Sequence, residues 1–244
     1  MYNGLGSFYD EANAIALDSA GNVYVTGTSN LGGYGGAGSG LQEYATMKYD
    51  GDGNELWVAR YHGPYEGYDC ANAIAVDADG SVVVTGYSVG RDYASSVALG
   101  GEHDYDYATV KYDTEGKQLW VARYTGSGSA YSAAAALALD SSGNVYVTGT
   151  SQSAESDDDY LTVKYDAAGK ELWVARHDGP ASRRDSARDI AVDAWGNAYV
   201  TGYTYSDQYT FPLIVGPDLT HNGDGDSFVA KVNVSGTALL YCGY

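Results

Sequence analysis

The protein is a chain of 244 residues in which 32 Asp and Glu outnumber 13 Lys and Arg, so its formal net charge is −19. A field this negative repels nucleic acid and anionic membrane surfaces, and we expect no nucleic-acid partner. No apolar run approaches the length of about 18 residues that crosses a bilayer, so we expect no membrane insertion either.

The first residues, MYNGLGSFYDEA, lack the basic and apolar segments of a signal peptide. They match the connectors that follow later copies of the repeat, so the given sequence begins in the middle of a repeat unit. We therefore expect it to be trimmed from a longer precursor.

Two stretches recur four times along the chain. The first, ANAIALDSAGNVYVTGTS in its earliest copy, begins at Ala12, Ala71, Ala134 and Ala187. The second, DYATVKYDTEGKQLWVARY in its clearest copy, ends at Tyr61, Tyr124, His177 and Tyr244. A period of about 50–65 residues with four strand-like segments is typical of β-propeller blades.

Each repeat predicts four short strands, named A to D. In the first copy they are Ala14–Asp18, Asn22–Ser29, Tyr44–Asp50 and Glu55–Tyr61. Asp and Gly between A and B, and between C and D, predict tight turns. No segment has the sustained helical spacing of apolar residues, so we expect no helix.

Every predicted sheet is apolar on both faces. In strand D, for example, Trp57, Ala59 and Tyr61 point to one side, and Leu56 and Val58 point to the other. A single sheet cannot bury two apolar faces, whereas stacked blades can. We therefore predict an all-β chain forming a single β-propeller domain with four four-stranded blades, at about residues 10–63, 64–125, 126–179 and 180–244.

The repeat resembles the bacterial β-propeller repeat family called SBBP. The last copy is closest to that pattern, with DSFVAKV at Asp226–Val232 followed by Ser235-Gly236-Thr237. The resemblance covers nearly the whole chain, and it implies a secreted or cell-surface propeller without implied catalytic residues. The family usually has more blades, so three arrangements stay open: a closed four-bladed ring, part of a larger ring, or a ring built from several chains.

Residues required in every copy are better explained by blade geometry than by one active site. We expect the repeated lysines and arginines to pair with aspartates between blades. Cys70 and Cys242 lie in different copies, which predicts two unpaired side chains.

The connections differ from the turns because their lengths vary. The B–C connections span residues 30–42, 89–105, 152–158 and 205–225, and the D–A connections also vary in sequence. Both sets lie at the same end of every blade, where function commonly sits on a rigid scaffold.

An acid stands just before or at the start of every strand C. These acids are Glu43, Asp106, Asp159 and Asp226. One interpretation is a calcium site, because hard cations prefer several carboxylate and carbonyl oxygens. The alternative is that the repeated acid bonds loop amides and that the other acids of this face are solvated.

Aromatic and acidic residues in the variable connections predict a ligand surface. The candidates are Tyr34, Asp104, Tyr105, Asp106, Tyr205 and Tyr209. Tyr beside Asp suits stacking on sugar rings or docking a protein, although the same residues could pack the loops onto the blades.

The sequence thus predicts a non-catalytic extracellular module that binds a glycan or a protein partner. One alternative is a propeller lyase or hydrolase that uses loop acids or His103 and His221. The other is a self-assembling homo-oligomer whose identical chains join through their terminal blades.

Overall fold

The structure is a computed structural model. It describes residues 9–30, 41–90, 104–126, 131–152, 158–177, 183–207, 209, 211–212, 214–215, 218–221 and 223–244.

These residues form sixteen β-strands arranged as four blades. Blade 1 contains β1 (Glu11–Leu17), β2 (Val23–Asn30), β3 (Gln42–Tyr49) and β4 (Glu55–Tyr61). Blade 2 contains β5 (Cys70–Val76), β6 (Val82–Val89), β7 (Tyr105–Tyr112) and β8 (Gln118–Tyr124). Blade 3 contains β9 (Ser132–Leu139), β10 (Val145–Gln152), β11 (Asp158–Tyr165) and β12 (Glu171–His177). Blade 4 contains β13 (Asp185–Val192), β14 (Ala198–Thr204), β15 (Asp226–Val232) and β16 (Leu239–Gly243).

Each blade is one four-stranded antiparallel sheet in which strands pair in chain order. The prediction of an all-β fold with four four-stranded blades is confirmed. Each predicted blade range holds one sheet. The part of the chain that the structure describes contains no helix that is long and apolar enough to span a membrane.

Strand D was predicted to the residue, whereas strands A and C begin earlier than predicted. β1 begins at Glu11 instead of Ala14, and β3 begins at Gln42 instead of Tyr44. A bulge between Ala12 and Ala14 separates the polar start of β1 from its apolar remainder. Bulges tolerate such a change of pattern because they shift the pairing by one residue.

The tight turns share one design. In the first, both the Ala20 and Asn22 backbone N–H groups donate to Asp18 Oδ1 at 2.9 Å, and Gly21 takes φ +84°. The carboxylate satisfies turn amides, and glycine adopts the left-handed backbone without a Cβ clash. The same bonding recurs at Asp50, Asp77, Asp113, Asp140, Asp166 and Asp193. In the last turn Asn233 Oδ1 accepts from the Thr237 and Ala238 N–H groups instead.

The chain divides into two compact units, Met1–Thr125 (unit 1) and Gly126–Tyr244 (unit 2). Each unit has its own core between two blades. Each strand A has a large aliphatic residue in its second half: Ile15, Ile74, Leu137 and Ile190. We call the face of a blade that carries this residue its front face. The opposite face, which carries the strand-D tryptophan in blades 1 to 3, is its back face.

In unit 1 the back face of blade 1 packs on the front face of blade 2. The core contains Tyr24, Tyr44, Ala59 and Tyr61 from the back face and Ala71, Val82, Val84, Ala108, Val110 and Tyr112 from the front face. The indole N–H of Trp57 also donates to Thr114 O, at 3.0 Å, and so fixes the C–D turn of blade 2. The aromatic rings of blade 1 therefore pack on the mostly aliphatic front face of blade 2. This packing buries one face of each blade.

Unit 2 repeats this packing between blades 3 and 4. Tyr146, Tyr160 and Ala175 of the blade 3 back face meet Ala187, Ile190, Ala198, Val200, Phe228, Ala230 and Val232 of the blade 4 front face. Trp173 donates to Val234 O at 3.0 Å, as Trp57 does in unit 1. Phe211, from the long B–C connection, joins this core and packs on Tyr160 and Phe228.

The expectation that lysines and arginines pair with aspartates between blades is wrong for the repeated lysines and for the repeated arginines, whose ion pairs lie within one blade. Lys111 lies 2.9 Å from Asp77, and Lys231 lies 3.5 Å from Asp193, in each case within one blade. The register of three adjacent strands places the strand-C lysine beside the aspartate that ends strand A. A pair that does join two blades is Arg184 to Asp158, at 2.8 Å in unit 2.

Candidate binding rim

We call the end of each blade where strands A and C begin and strands B and D end its rim. Antiparallel pairing brings these four termini together. The B–C and D–A connections therefore leave from the rim, as the sequence predicts, and the Asp turns lie at the opposite end.

Blades 1 to 3 carry the same polar cluster at the rim. The arginine of strand D binds the acid of strand C and the serine that comes near the end of strand B. Arg123 Nη2 lies 2.9 Å from Asp106 Oδ2, and its Nη1 donates to Ser88 Oγ at 2.7 Å. Arg176 binds Asp159 at 2.6 Å and Ser151 Oγ at 2.7 Å.

Blade 1 repeats the arrangement with Arg60, Glu43 and Ser29. These acids were predicted as calcium ligands. Arginine fills the position where a cation would meet Glu43, Asp106 and Asp159, and the three acids belong to three different sheets. No group of three or more His, Cys, Asp or Glu able to hold a metal ion occurs among the described residues. Calcium at these positions stays a prediction.

A second acid, just before strand A, ties the connections to the rim. Asp69 is buried and accepts the backbone N–H of Gly63 at 2.6 Å and of Val89 at 3.1 Å. Burial raises the pKa of this carboxyl, and the hydrogen bonds oppose that rise. In blade 1, Asp10 accepts the backbone N–H of Asn30 in the same way. These acids thus bond backbone amides at the rim, whereas the strand-C acids, for which the sequence left loop amides as an alternative, bind arginine.

Blade 4 departs from this pattern because it lacks the arginine. Tyr244 stands in its place, and its hydroxyl donates to Ser206 O at 2.9 Å. Asp185 is fully buried, and it accepts hydrogen bonds from the Thr204 and Ser206 hydroxyls. Burial raises the pKa of Asp185 to about 6 because the two hydroxyls only partly compensate for lost hydration.

Asp226, the strand-C acid of blade 4, also lacks an arginine. Its Oδ2 lies 3.9 Å from Nε2 of His221, whose ring contacts Tyr244. This acid was predicted as a metal ligand and His221 as a catalytic group of the enzyme alternative. His103 lies outside the described residues, so catalysis by that pair stays a prediction.

The predicted ligand residues fall in several surroundings. Tyr34 lies outside the described residues. Asp104 and Asp106 are buried at the blade 2 rim, whereas Tyr105 is half-buried with its ring edge-on to Tyr87 at 5.1 Å. In blade 4, Tyr205 packs edge-on against Tyr203 at 5.8 Å. Tyr209 is fully open to solvent.

A cleft of about 350 Å³ lies at the unit 1 rim, between the start of β3 and the D–A connection 62–69. Its open wall presents His62, Tyr65 and Glu66, all exposed, and Gln42 lies at its floor. The cleft was not predicted from the sequence. Its sequence signal was the segment HGPYEGYD, which concentrates polar and aromatic groups that the equivalent TGSGSAYS lacks.

The cleft wall is held at both ends. Gln42 N donates to Gly67 O at 3.0 Å, and Asp69 N donates to Gln42 O at 3.1 Å. A side chain at Gly67 would come within 2.4 Å of the Val89 side chain, so only glycine lets the connection lie this close. A connection anchored this way presents its side chains without ordering on binding.

Comparison with known proteins agrees with this architecture. A β-propeller repeat model, SBBP, matches residues 4–34, 120–155 and 179–209. An uncharacterized WD repeat-containing protein of Acanthamoeba polyphaga mimivirus is 28% identical over 164 residues, which cover 56% of this chain and 11% of that protein. The chain thus spans about a tenth of the length of this curated relative.

Two solved structures are similar at low identity. A protein of unknown function from Dyadobacter fermentans has a TM-score of 0.54 at 11% identity, covering 96% of this chain and 68% of that one. The quinohemoprotein alcohol dehydrogenase of Comamonas testosteroni has a TM-score of 0.49 at 14% identity, covering 95% of this chain and 34% of that one. At 11% identity, the likeness to the Dyadobacter fermentans protein bears on the fold alone. With its four four-stranded sheets and the three regions that the SBBP model matches, the chain is a β-propeller that carries SBBP-type repeats.

Proposed function

We propose that this propeller is a non-catalytic extracellular binding module whose unit 1 rim cleft binds a carbohydrate. The observation that carries the proposal is the cleft itself, in which an exposed tyrosine stands beside hydrogen-bonding groups on an anchored connection. Tyr65 is 39% exposed, so its ring is partly held by the protein and partly free to contact a ligand.

The chemistry of the wall suits a sugar ring. A tyrosine face stacks on the apolar C–H face of a pyranose, while carboxylate, amide and imidazole groups bond its hydroxyls. Glu66 and Gln42 supply acceptors, and His62 supplies a ring nitrogen. The volume of about 350 Å³ falls at the lower end of known ligand sites and fits one or two sugar units.

Binding without catalysis is favoured by what the other rim acids already do. In blades 1 to 3 the strand-C acids are ion-paired with arginine, and Asp69 is engaged by backbone amides. Catalytic carboxylates need access to the reacting atoms. Among the described residues, these acids face protein donors instead.

An extracellular location is supported by the SBBP resemblance and by the net charge of −19, which keeps a surface protein soluble. An antibody against this chain should label intact producing cells or their medium. Labelling only after the cells are lysed would contradict this part of the proposal.

The carbohydrate proposal is tested by replacing Tyr65 with Ala. We expect the purified protein to bind a subset of a defined oligosaccharide array, and Tyr65→Ala to weaken that binding about tenfold, which is about 1.4 kcal/mol. The matched control is Trp195→Ala, because Trp195 is 78% exposed but lies in an Asp turn at the opposite end of blade 4. No binding to any glycan, or an equal effect of both substitutions, would refute the proposal.

A further inference from the structure

The front face of blade 1 is an exposed apolar surface. It carries the exposed Ala12, Ile15 and Leu17 from β1 and the half-buried Val25 from β2, beside Met47 of β3, which is buried. Ile15 is 68% exposed and Leu17 is 65% exposed, and a groove of about 220 Å³ runs along Ala12, Val25 and Met47. Apolar surface of this kind on a soluble protein marks an interaction site more often than an accident of folding.

The same positions are buried in the second blade of each unit. Ile74 and Val76 of blade 2 take the places of Ile15 and Leu17, and they pack into the unit 1 core. In blade 4, Ile190 is only 7% exposed because the aromatic back face of blade 3 covers it. The front face of blade 1 therefore resembles the front faces of blades 2 and 4 in composition. Those two faces are covered by the back faces of blades 1 and 3.

A matching back face is open on blade 4. It carries Tyr199, Thr201 and Val229, which line a shallow depression of about 170 Å³, and Val229 is 43% exposed. Its tyrosines Tyr199 and Tyr241 contact each other edge-on at 6.2 Å. In position they correspond to Tyr24 and Trp57, which cover the blade 2 front face in unit 1.

At the edges of these two faces, one pair of equivalent positions carries opposite charges, and the blade 4 edge also carries the exposed Asp189. In unit 1, Asn13 at the edge of blade 1 donates to Ala71 O at 2.9 Å and contacts Cys70 Sγ at 3.4 Å. The residue of blade 4 equivalent to Asn13 is Arg188, and the residue of blade 1 equivalent to Cys70 is Glu11. If a blade 4 back face packed on a blade 1 front face in the way that blades 1 and 2 pack in unit 1, Arg188 would therefore lie opposite Glu11.

We propose that a second copy of this chain docks its blade 4 back face on the blade 1 front face, with Arg188 of one copy paired to Glu11 of the other. Both side chains are exposed in the single chain. Arg188 lies over the Tyr203 ring at 5.0 Å and donates to the Tyr203 hydroxyl at 3.3 Å, and these contacts leave it at the surface. The contact joins different surfaces, head to tail, and it generates a ring if the rotation closes or a filament if it does not.

Sedimentation velocity between about 1 and 100 μM protein, at about 0.15 M salt, measures this self-association. The wild-type chain should form concentration-dependent oligomers. Glu11→Arg and Arg188→Glu each place like charges opposite each other and should weaken association about tenfold. The double variant Glu11→Arg, Arg188→Glu restores opposite charges and should associate within about threefold of the wild type.

Ile15→Asp should abolish the oligomers because it places a carboxylate in the centre of the contact. The matched control Leu119→Asp should leave them unchanged, since Leu119 is 51% exposed on β8 of blade 2, which contributes to neither docking face. A monomer at every concentration would overturn the proposal, and so would a double variant that associates no better than the single reversals.

Discussion

Because the Asp185 carboxyl is buried, we predict that the free energy of unfolding falls as pH rises from about 4 to about 6. The carboxyl is fully buried beside two hydroxyl donors and has no arginine, and burial raises its pKa from 3.8 to about 6. The charged Asp159 of the neighbouring blade acts in the same direction. Between about pH 4 and pH 6 the folded protein holds this proton more tightly than the unfolded chain does, so unfolding releases it.

The size of the effect follows from the two pKa values. Each unit of difference between the folded and unfolded states is worth about 1.4 kcal/mol, so the difference between 3.8 and about 6 corresponds to about 3 kcal/mol. This stabilisation is fully present below pH 4, where both states are protonated, and it is lost as pH rises through 6. Asp185→Asn cannot ionise, and its neutral amide can keep hydrogen bonds with Thr204 and Ser206.

The assay is urea-induced unfolding of both proteins between pH 4 and pH 8, followed by tryptophan fluorescence. All other carboxyls are common to both chains, so the difference between the two free energies of unfolding isolates position 185. We expect Asp185→Asn to gain about 3 kcal/mol relative to the wild type between pH 4 and pH 8. A difference that is constant with pH, or one that grows as pH falls, would refute the reasoning.

Two further predictions concern contacts within unit 1, both measured by urea unfolding at pH 7. Arg123→Met leaves the buried carboxylate of Asp106 without its cation and should cost about 3 kcal/mol; a loss below about 1 kcal/mol would show that the pair is not needed. Gly116→Ala should cost about 2 kcal/mol more than Gly53→Ala. Both glycines have φ near +80°, but a Cβ at Gly116 would lie 2.7 Å from the Trp57 ring, whereas Gly53 has nothing within 4 Å. Equal losses would mean that Trp57 yields freely.

The blade architecture could be predicted because the same turn residues and the same strand pattern recur in each of the four copies. An aspartate and a glycine at fixed spacing fix every turn, and strand D alternates between two apolar faces. The starts of strands A and C were missed because Glu11 and Gln42 are polar. They are nonetheless paired, since strand B extends to Asn30 and offers backbone partners along its whole length.

The rim ion pairs were visible in the sequence but were assigned to the wrong partners. Glu43 and Arg60 are separated by the same number of residues as Asp106 and Arg123, which is the spacing set by a C–D hairpin with one tight turn. Hairpin register alone could have predicted these pairs. The cleft could not have been predicted, because it depends on the path of a connection that has no periodic pattern.

The repeat also indicates where specificity can arise. A polar group that recurs from blade to blade makes the same bond in each, and in blades 1 to 3 the arginine, serine and acid at the rim bond to one another. Groups free to recognise a ligand must therefore be those that do not recur, such as Tyr65 and Glu66 in one D–A connection. Packing between blades differs, because the apolar front face recurs in blades 1, 2 and 4 and each buried copy packs on the back face of another blade. The rim cleft and the blade 1 front face are for this reason separable: Tyr65→Ala should leave self-association unchanged, and Ile15→Asp should leave carbohydrate binding by the monomer unchanged.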